Sequence, residues 1–271
     1  MKHDTSVSDS VPSVGIFDDP RFAKLAVENS EKYRSADPFP HIVIDNFLDA
    51  AFAADLEKSF PQPDQIGWIE RDNANNKRRY QHDETKLPPL IRQMLREFNS
   101  RQFLLFLETL TGIDNLLPDP YFIGGGAHMS GQGEFLKIHA DFNWHHKLQA
   151  HRRVNALLYL THDWREEWGG HLELWNKEMI CKVVSVAPLF NRLMIFSTSE
   201  DSNHGQRLPN ACPPNVYRKV LNLYYYTSRR DESEIAAPHF TLYKTEASPF
   251  AMELAQDYRK SGINSELSSD K

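Results

Sequence analysis

Three residues of the chain have the types and spacing of a metal-ligand set. His139 and Asp141 stand at the end of an apolar run that begins at Phe135. In a β-strand, side chains two positions apart point to the same side, so an imidazole and a carboxylate would lie together at the strand end. A second histidine, His204, follows several apolar runs later, directly before a glycine. Two imidazoles and one carboxylate form the triad that holds Fe(II) and leaves coordination positions open for a co-substrate and O2.

An arginine opens the last apolar run of the chain and could bind an anion beside such a metal. Arg218 begins a run that continues to Tyr226. Its planar guanidinium suits a carboxylate, because two parallel N–H groups can donate to the two oxygens. Alternation along a strand puts Asn222 and Tyr224 on the same face as Arg218. We therefore expect Asn222 to assist in anion binding and Tyr224 to contact a substrate.

Short apolar runs fill the second half of the chain, and they are the elements that would position these residues. Clusters of Gly, Pro, Asn or Asp separate most of them. The runs are Tyr121–Ile123, Glu134–His139, Arg153–Leu160, His171–Trp175, Cys181–Val186, Arg192–Phe196 and Arg218–Tyr226. Many short strands with turn signals between them predict a sandwich or a barrel-like jelly roll.

Helix signals come earlier in the chain and predict a helical support for these strands. The apolar pattern predicts helices over Pro20–Arg34, Ala50–Phe60 and Pro88–Gly112, and a strand over His41–Leu48. The last of these helices is apolar almost all round near Phe103, which indicates burial against a sheet.

Residues 62–88 are polar and show no regular period, so the sequence predicts a long irregular loop. Such a loop is either exposed surface or a lid that closes over a substrate and excludes water. In the second case Arg78, within a Lys-Arg-Arg run, would suit an acidic or carboxylate-bearing substrate.

Three side chains near the H-x-D motif are further candidates for substrate contact. Trp144 and His145 follow the motif and could line the mouth of a pocket. Lys137 shares the strand face of His139 and could meet an anionic group, because a buried lysine needs a partner. The alternatives are core packing for Trp144 and exposure to solvent for Lys137.

Composition and charge exclude several classes of protein. The net charge of −6 and the lack of a basic stripe argue against binding to nucleic acid. No apolar run approaches the roughly 18 residues that a membrane helix needs. The N-terminus lacks the apolar core of a signal peptide and the chain holds only 2 cysteines, so we expect a cytoplasmic protein. The oligomeric state cannot be read from these features.

Several blocks of sequence together carry a family resemblance. They are Pro38–Leu48, His139–Asp141, Arg153–Trp164, Gly169–Trp175, Asn203–Gly205 and Arg218–Tyr226. Through these blocks, the chain resembles the Fe(II)/2-oxoglutarate-dependent dioxygenases, and within them the prolyl-4-hydroxylase-like branch. The resemblance covers most of residues 37–230, without the loop over 62–88 and the two ends of the chain, and the order of H-x-D, H and R makes it specific.

This resemblance implies a fold and a set of cofactors. The fold would be a double-stranded β-helix, a cupin-like jelly roll. Iron would be held by His139, Asp141 and His204, with 2-oxoglutarate chelating the metal, O2 as the second co-substrate and ascorbate as an optional reductant. Arg218 would bind the distal carboxylate of 2-oxoglutarate. A tyrosine on the third barrel strand often assists that carboxylate in the family. The corresponding position here is Leu158, so Asn155 and Asn222 are expected to assist instead.

The sequence divides into three parts on this interpretation. Residues 1–36 form an N-terminal arm and helix, and residues 231–271 form a C-terminal extension. Residues 37–230 form one dioxygenase domain, with helical support over 37–115 and the jelly-roll core over 116–230.

The expected activity couples oxidative decarboxylation of 2-oxoglutarate to succinate and CO2 with hydroxylation of an unactivated C–H bond. We expect a small-molecule substrate, such as an amino acid, a peptide or a biosynthetic intermediate. One alternative is a protein prolyl hydroxylase of the same class. Another is a non-catalytic, cupin-like module that binds a metal or a sugar.

Overall fold

Four α-helices support thirteen β-strands in the computed structural model, which describes residues 15–244. The helices are α1 (Pro20–Arg34), α2 (Ala50–Ser59), α3 (Pro89–Phe98) and α4 (Arg101–Thr111). The strands are β1 (His41–Ile44), β2 (Ile69–Asn73), β3 (Asn76–Gln81), β4 (Gly126–Ser130), β5 (Phe135–Ala140), β6 (Trp144–His145), β7 (Ala150–Tyr159), β8 (Leu172–Trp175), β9 (Lys182–Val186), β10 (Arg192–Ser197), β11 (His204–Gln206), β12 (Arg218–Thr227) and β13 (Leu242–Tyr243).

The strands form one antiparallel sheet that rolls into a nearly closed barrel. Their order is β1-β10-β7-β12-β4-β3-β5-β11-β8-β9, with β2 paired to β3, β6 to β7 and β13 to β5. Strand β3 pairs with β4 through one half and with β5 through the other, so it joins the two parts of the sheet. The predicted jelly-roll fold with flanking helices is therefore confirmed.

Side-chain alternation along β7 separates a helix-facing core from the barrel interior. Leu158 packs with the helices, in a cluster that includes Phe98, Phe103 and Tyr225. Leu157 and Tyr159 point to the opposite side, into a second apolar cluster inside the barrel. The second half of β7 is buried on both faces, which is why Ala156–Tyr159 reads as a continuous apolar run instead of an alternating one.

The N-terminal helices match the sequence prediction with one correction. Helix α1 has the predicted bounds, whereas the single long helix expected over residues 88–112 is two helices. Helix α3 ends at Phe98, with Asn99 as its C-cap. The Ser100 hydroxyl accepts a hydrogen bond from the Phe103 backbone N–H at 3.3 Å. This side-chain cap starts α4 as a new helix.

The predicted loop over residues 62–88 contains a β-hairpin, so that prediction is wrong for its central part. Strands β2 and β3 pair from Ile69 and Tyr80 to Asn73 and Asn76. The Asn73 side chain accepts from the backbone N–H groups of residues 75 and 76, which closes the turn. Both faces of β3 carry polar residues, so the strand shows no apolar alternation that sequence analysis could detect.

The predicted strand over Tyr121–Ile123 is also wrong, because these residues form a turn. The Asp119 carboxylate accepts from the backbone N–H groups of Tyr121 and Ile123, both at 2.8 Å. The strand begins only at Gly126.

The two ends of the chain lie partly outside the described residues. The residues outside the description are 1–14 of the predicted arm and 245–271 of the predicted extension. The described portion of the extension returns to the barrel, where β13 pairs with β5 opposite His139 and Ala140. Within residues 15–244, no helix has both the length and the apolar character needed to cross a membrane.

Candidate metal centre and its cavity

The pairing of β5 with β11 brings the two candidate histidines face to face. His204 lies directly opposite His139 in the antiparallel register, and their ring centroids are 4.5 Å apart. Asp141 follows the end of β5, with its carboxylate oxygens 3.5 Å from His139 Nε2 and 3.4 Å from His204 Nε2. One ligand atom from each residue lies within 4.8 Å of the other two. The three residues singled out in the sequence are therefore assembled as one cluster.

The backbone fixes the imidazoles in the form that can bind a metal. His139 Nδ1 lies 2.8 Å from the Lys137 carbonyl oxygen, and His204 Nδ1 lies 2.8 Å from that of Ser202. A carbonyl can only accept, so each Nδ1 carries the proton and each Nε2 presents a lone pair. Burial lowers the pKa of His204 to about 4, so this imidazole is neutral at neutral pH. Two lone pairs and a carboxylate converging at a buried point fit a divalent cation.

A buried arginine and an asparagine hold the carboxylate of Asp141. Arg152 Nη2 lies 3.0 Å from Asp141 Oδ2, and Asn155 Nδ2 donates to the same oxygen at 2.7 Å. Arg152 Nε in turn donates to Asn155 Oδ1 at 3.0 Å, and its guanidinium stacks on the ring of Tyr224 at 3.5 Å. Burial alone would raise the pKa of Asp141, but Arg152 and then His204 outweigh it and keep that pKa well below its usual range. Asp141 is thus an anion held in one orientation.

Asn155, predicted to assist the co-substrate carboxylate, contacts Asp141 and Arg152. Its side chain borders the cavity, but both ends of its amide are engaged, one with Asp141 and the other with Arg152. This arrangement favours a role in orienting a metal ligand over direct binding of 2-oxoglutarate.

Replacing Arg152 should lower the stability of the metal-free protein and make that stability depend more strongly on a bound metal ion. We expect Arg152→Met to destabilise the metal-free protein by about 3–5 kcal/mol, because it leaves the Asp141 carboxylate buried and unpaired. Added Zn(II) should restore more stability in this variant than in the wild type, since the ion supplies the missing positive charge. Urea unfolding with and without Zn(II) measures both effects. Arg153→Met is the matched control, because Arg153 bonds Thr227 and faces away from the site. An equal gain from Zn(II) in Arg152→Met and the wild type would contradict this coupling.

Gly205 allows the close approach of β11 to β5 beside the histidines. A Cβ at this position would lie 2.7 Å from the Lys137 carbonyl oxygen and 2.9 Å from Ile138 Cα. Both are backbone atoms, so a side chain could fit only if the strands separated.

We expect Gly205→Ala to weaken Fe(II) binding by at least about tenfold, the usual effect of disturbing a residue that supports a metal ligand. Calorimetric titration with Fe(II) under argon measures the affinity. Gly67→Ala is the control, because no atom lies within 4 Å of a Cβ built there. Unchanged affinity in Gly205→Ala would show that the histidine spacing does not depend on this glycine.

Arg218 lies at the start of β12 and meets a tyrosine. Its Nη2 donates to the Tyr159 hydroxyl at 3.2 Å, and its guanidinium stacks over that ring at 4.8 Å. Its Nε is buried without a hydrogen-bond partner among the described residues. Leu158, which the sequence analysis placed at the position of the assisting tyrosine, packs against the helices, and the tyrosine that contacts Arg218 is Tyr159, one residue later.

A cavity of about 350 Å³ connects these groups. The metal cluster lies on its wall together with Arg218, Asn222, Tyr224 and Arg78. Asn222 Oδ1 is buried and makes no hydrogen bond within the described residues, so it is free to contact a ligand. The Tyr224 hydroxyl donates to the Gly124 carbonyl at 2.9 Å, so its ring, rather than its hydroxyl, is presented to the cavity.

Three predicted substrate residues do not border this cavity. Lys137 is exposed, because the register of β5 with β11 shifts between His139 and residue 136 and the simple alternation fails. His145 is buried against Asp119, with Nε2 3.2 Å from a carboxylate oxygen. Trp144 packs its ring edge-on to His151.

The sequence analysis missed several residues that the fold places in or beside the site. Tyr159 could have been found, since it shares the barrel-facing side of β7 with Asn155 and Leu157. Arg152 could not, because simple alternation assigns it to the other face, and only the register shift between β7 and β12 at this point brings it to the site. Tyr243 comes from the C-terminal segment, and its ring lies 5.9 Å from that of His139. No local signal marks Tyr243, because only the pairing of β13 with β5 brings it there.

Comparisons with known proteins agree with this geometry. Residues 125–226 match the family model described as the 2OG-Fe(II) oxygenase superfamily. A search of curated protein sequences gives no match. The matched residues include all three members of the metal cluster.

Two solved structures share the fold. One is a prolyl hydroxylase from Trichoplax adhaerens in complex with a peptide fragment of the hypoxia inducible factor oxygen degradation domain. It is 19% identical, with a TM-score of 0.52 over 79% of this chain and 92% of its own. The other is HygX from Streptomyces hygroscopicus with nickel, 2-oxoglutarate and hygromycin B bound. It is 11% identical, with a TM-score of 0.50 over 79% of this chain and 96% of its own.

Proposed function

We propose that the chain hydroxylates an unactivated C–H bond of a small molecule, because residues 125–226 match the 2OG-Fe(II) oxygenase superfamily and contain the metal cluster. The reaction couples this oxidation to the decarboxylation of 2-oxoglutarate to succinate and CO2. Fe(II), 2-oxoglutarate and O2 are the cofactor and co-substrates of the family. The match to a family of enzymes also argues against the non-catalytic cupin-like module.

The metal cluster fits Fe(II) by its donor set. His139, Asp141 and His204 would hold the ion, which when bound activates O2 for oxidation of the co-substrate and the substrate. The three side chains approach from one side, which leaves the cavity side of the site for other ligands. Arg152 and Asn155 keep Asp141 ionised and oriented while the cavity fills.

Arg218 would bind the distal carboxylate of 2-oxoglutarate. Its unpartnered Nε and the Tyr159 hydroxyl are both available to a carboxylate that enters the cavity. Asn222, four residues along the same strand face, would add a further polar contact. A charge-assisted pair of this kind fixes the co-substrate in one direction.

The small volume of the cavity is the observation that favours a small substrate. The β2–β3 hairpin forms one side through Tyr80, and the C-terminal segment forms another through Thr241 and Tyr243. The volume of about 350 Å³ lies at the lower end of the range typical of small-molecule pockets. Because 2-oxoglutarate takes part of this space, the remainder suits a compact substrate.

Succinate release in the presence of Fe(II), 2-oxoglutarate and O2 tests the proposal. A panel of amino acids, other small metabolites and proline-containing peptides is added in turn to the wild-type protein and to His139→Ala. We expect at least one small molecule to accelerate succinate release in the wild type only, and to gain one oxygen atom by mass spectrometry. Acceleration by proline-containing peptides alone would instead assign a peptidyl substrate.

A further inference from the structure

The charges on the cavity wall do not balance. Four arginines border the cavity, whereas Asp141 is its one carboxylate among the described residues; the arginines are Arg71, Arg78, Arg152 and Arg218. Arg152 is paired with Asp141, and the proposed function assigns Arg218 to 2-oxoglutarate. Bound Fe(II) and the 2-oxoglutarate dianion carry opposite charges of equal size. Filling the co-substrate site therefore adds no net charge, and the charges of Arg71 and Arg78, like that of Arg218, remain in excess on the cavity wall.

The alternation of β3 singles out Arg78 from its two basic neighbours. Lys77 forms an ion pair with Asp72 at 3.1 Å on the outer face of the hairpin. Arg79 forms ion pairs with Glu70 at 3.1 Å and with Glu134 at 2.8 Å. Arg78 borders the cavity, as do Asn76 and Tyr80 two positions away on either side.

Arg78 has no anionic partner within the described part of the chain. No carboxylate there comes within ion-pair distance, and its Nε is buried without a hydrogen bond. Burial lowers the pKa of Arg78, an effect that the electrostatic influence of Tyr224, Tyr243 and Asp141 partly offsets. An unpaired charge in such a place costs free energy unless a ligand supplies the counter-charge.

The neighbours of Arg78 place it on the metal side of the cavity. Asp141 belongs to the metal cluster, the Tyr243 ring lies 5.9 Å from that of His139, and Tyr224 lies under the guanidinium that pairs with Asp141. Arg218 contacts Tyr159 instead. Arg71, on the adjacent strand, donates to the Tyr80 hydroxyl at 3.2 Å and adds a second cation beside Arg78. Arg71 and Arg78 come from the β2–β3 hairpin and Arg218 from β12, so arginines of two elements face one cavity, on either side of His128 on β4.

We propose that Arg78, with Arg71 beside it, binds an oxyanion of the substrate, either a carboxylate or a phosphate, and thereby orients the substrate toward the metal centre. This proposal rests on the proposed function, because it assumes that Arg218 serves the co-substrate. It adds the chemical class of the substrate and the residue that selects it.

Matched probes separate recognition of the anion from recognition of the rest of the molecule. The probes are N-acetyl-L-amino acids with their amides, and sugar phosphates with the parent sugars. Each is titrated by calorimetry into protein loaded with Fe(II) and 2-oxoglutarate under argon, so that no turnover occurs. We expect at least one acid or phosphate to bind at least about tenfold more tightly than its uncharged partner.

Variants of adjacent residues assign this preference to Arg78. Arg78→Met should remove it, Arg78→Lys should retain part of it because the charge remains, and Lys77→Met should leave it unchanged. The proposal is overturned if no anionic probe is preferred, or if Arg78→Met keeps the preference. It is also overturned if Arg78→Met weakens 2-oxoglutarate binding as much as Arg218→Met, because Arg78 would then serve the co-substrate.

The anion site and the proposed function can fail separately. An Arg78-dependent preference for anions without small-molecule turnover would retain the site and reject the proposed function. Turnover of an uncharged small molecule at full rate, with no anion preference, would retain the proposed function and reject the anion site.

Discussion

The His139→Ala variant should lose Fe(II) affinity by more than about a hundredfold and release no succinate. Replacing residues that only support a metal ligand already costs about 10–100-fold, so loss of a ligand itself should cost more. His139 and His204 contribute equivalent donors across the β5–β11 pair, so His204→Ala should behave in the same way. Calorimetry with Fe(II) under argon gives the affinity, and succinate release gives the activity.

Asp141 needs a conservative replacement in the same experiment. Asp141→Ala removes the counter-ion of Arg152 and also the oxygen that accepts from Asn155, so it destabilises the fold for a reason unrelated to iron more than an amide does. Asp141→Asn keeps the volume and an acceptor oxygen but removes the anionic ligand. We expect it to fold and to lose both iron binding and activity. His146→Ala is the control, because His146 is exposed on the loop beyond the motif. Full activity in either His139→Ala or Asp141→Asn would refute the metal assignment.

The metal cluster could be predicted from sequence because its determinants are local. An H-x-D pair at a strand end needs only the two-residue period of a strand to bring both groups together. His204 was predicted as the third ligand because it follows the H-x-D pair several apolar runs later, directly before a glycine. Pairing of β11 with β5 then supplied the contact that the sequence alone could not prove.

The errors arose where long-range pairing overrides local pattern. Strand β3 looked like a loop because its inner face borders a polar cavity and its outer face carries ion pairs, so neither face is apolar. Lys137 was assigned to the face of His139, but the register shift turns it to solvent. Register also explains why Tyr159, and not Leu158, contacts Arg218, since a shift of one residue moves a side chain from the barrel to the helices.

Substrate-facing residues were the least predictable part of the site. Tyr243 reaches His139 only through the short strand β13. His145 looked like a pocket residue from its place in the chain, yet the Asp119 carboxylate holds it in the interior. Both outcomes depend on contacts between distant segments, for which the local sequence carries no signal.

Arg218→Met should raise the 2-oxoglutarate requirement by about ten- to a hundredfold, while changing Fe(II) affinity by less than about threefold. Hydrogen bonds to a charged group contribute about 1.5–3 kcal/mol, which corresponds to this range. The iron ligands are unaffected, because Arg218 contacts Tyr159 and none of the three. Tyr159→Phe should give a smaller effect in the same direction, since it removes one hydroxyl and leaves the charge.

Direct binding distinguishes this role of Arg218 from a general structural one. Titration of 2-oxoglutarate into Fe(II)-loaded protein under argon measures co-substrate affinity without turnover, and the Fe(II) titration is repeated on each variant. Lys219→Met is the matched control, because Lys219 is the next residue on β12 but pairs with Glu57 at 3.4 Å. Equal losses of Fe(II) and 2-oxoglutarate affinity in Arg218→Met would indicate a collapsed barrel interior. If the Arg218 guanidinium binds the carboxylate, Arg218→Met loses affinity for 2-oxoglutarate but not for Fe(II), and Lys219→Met loses neither.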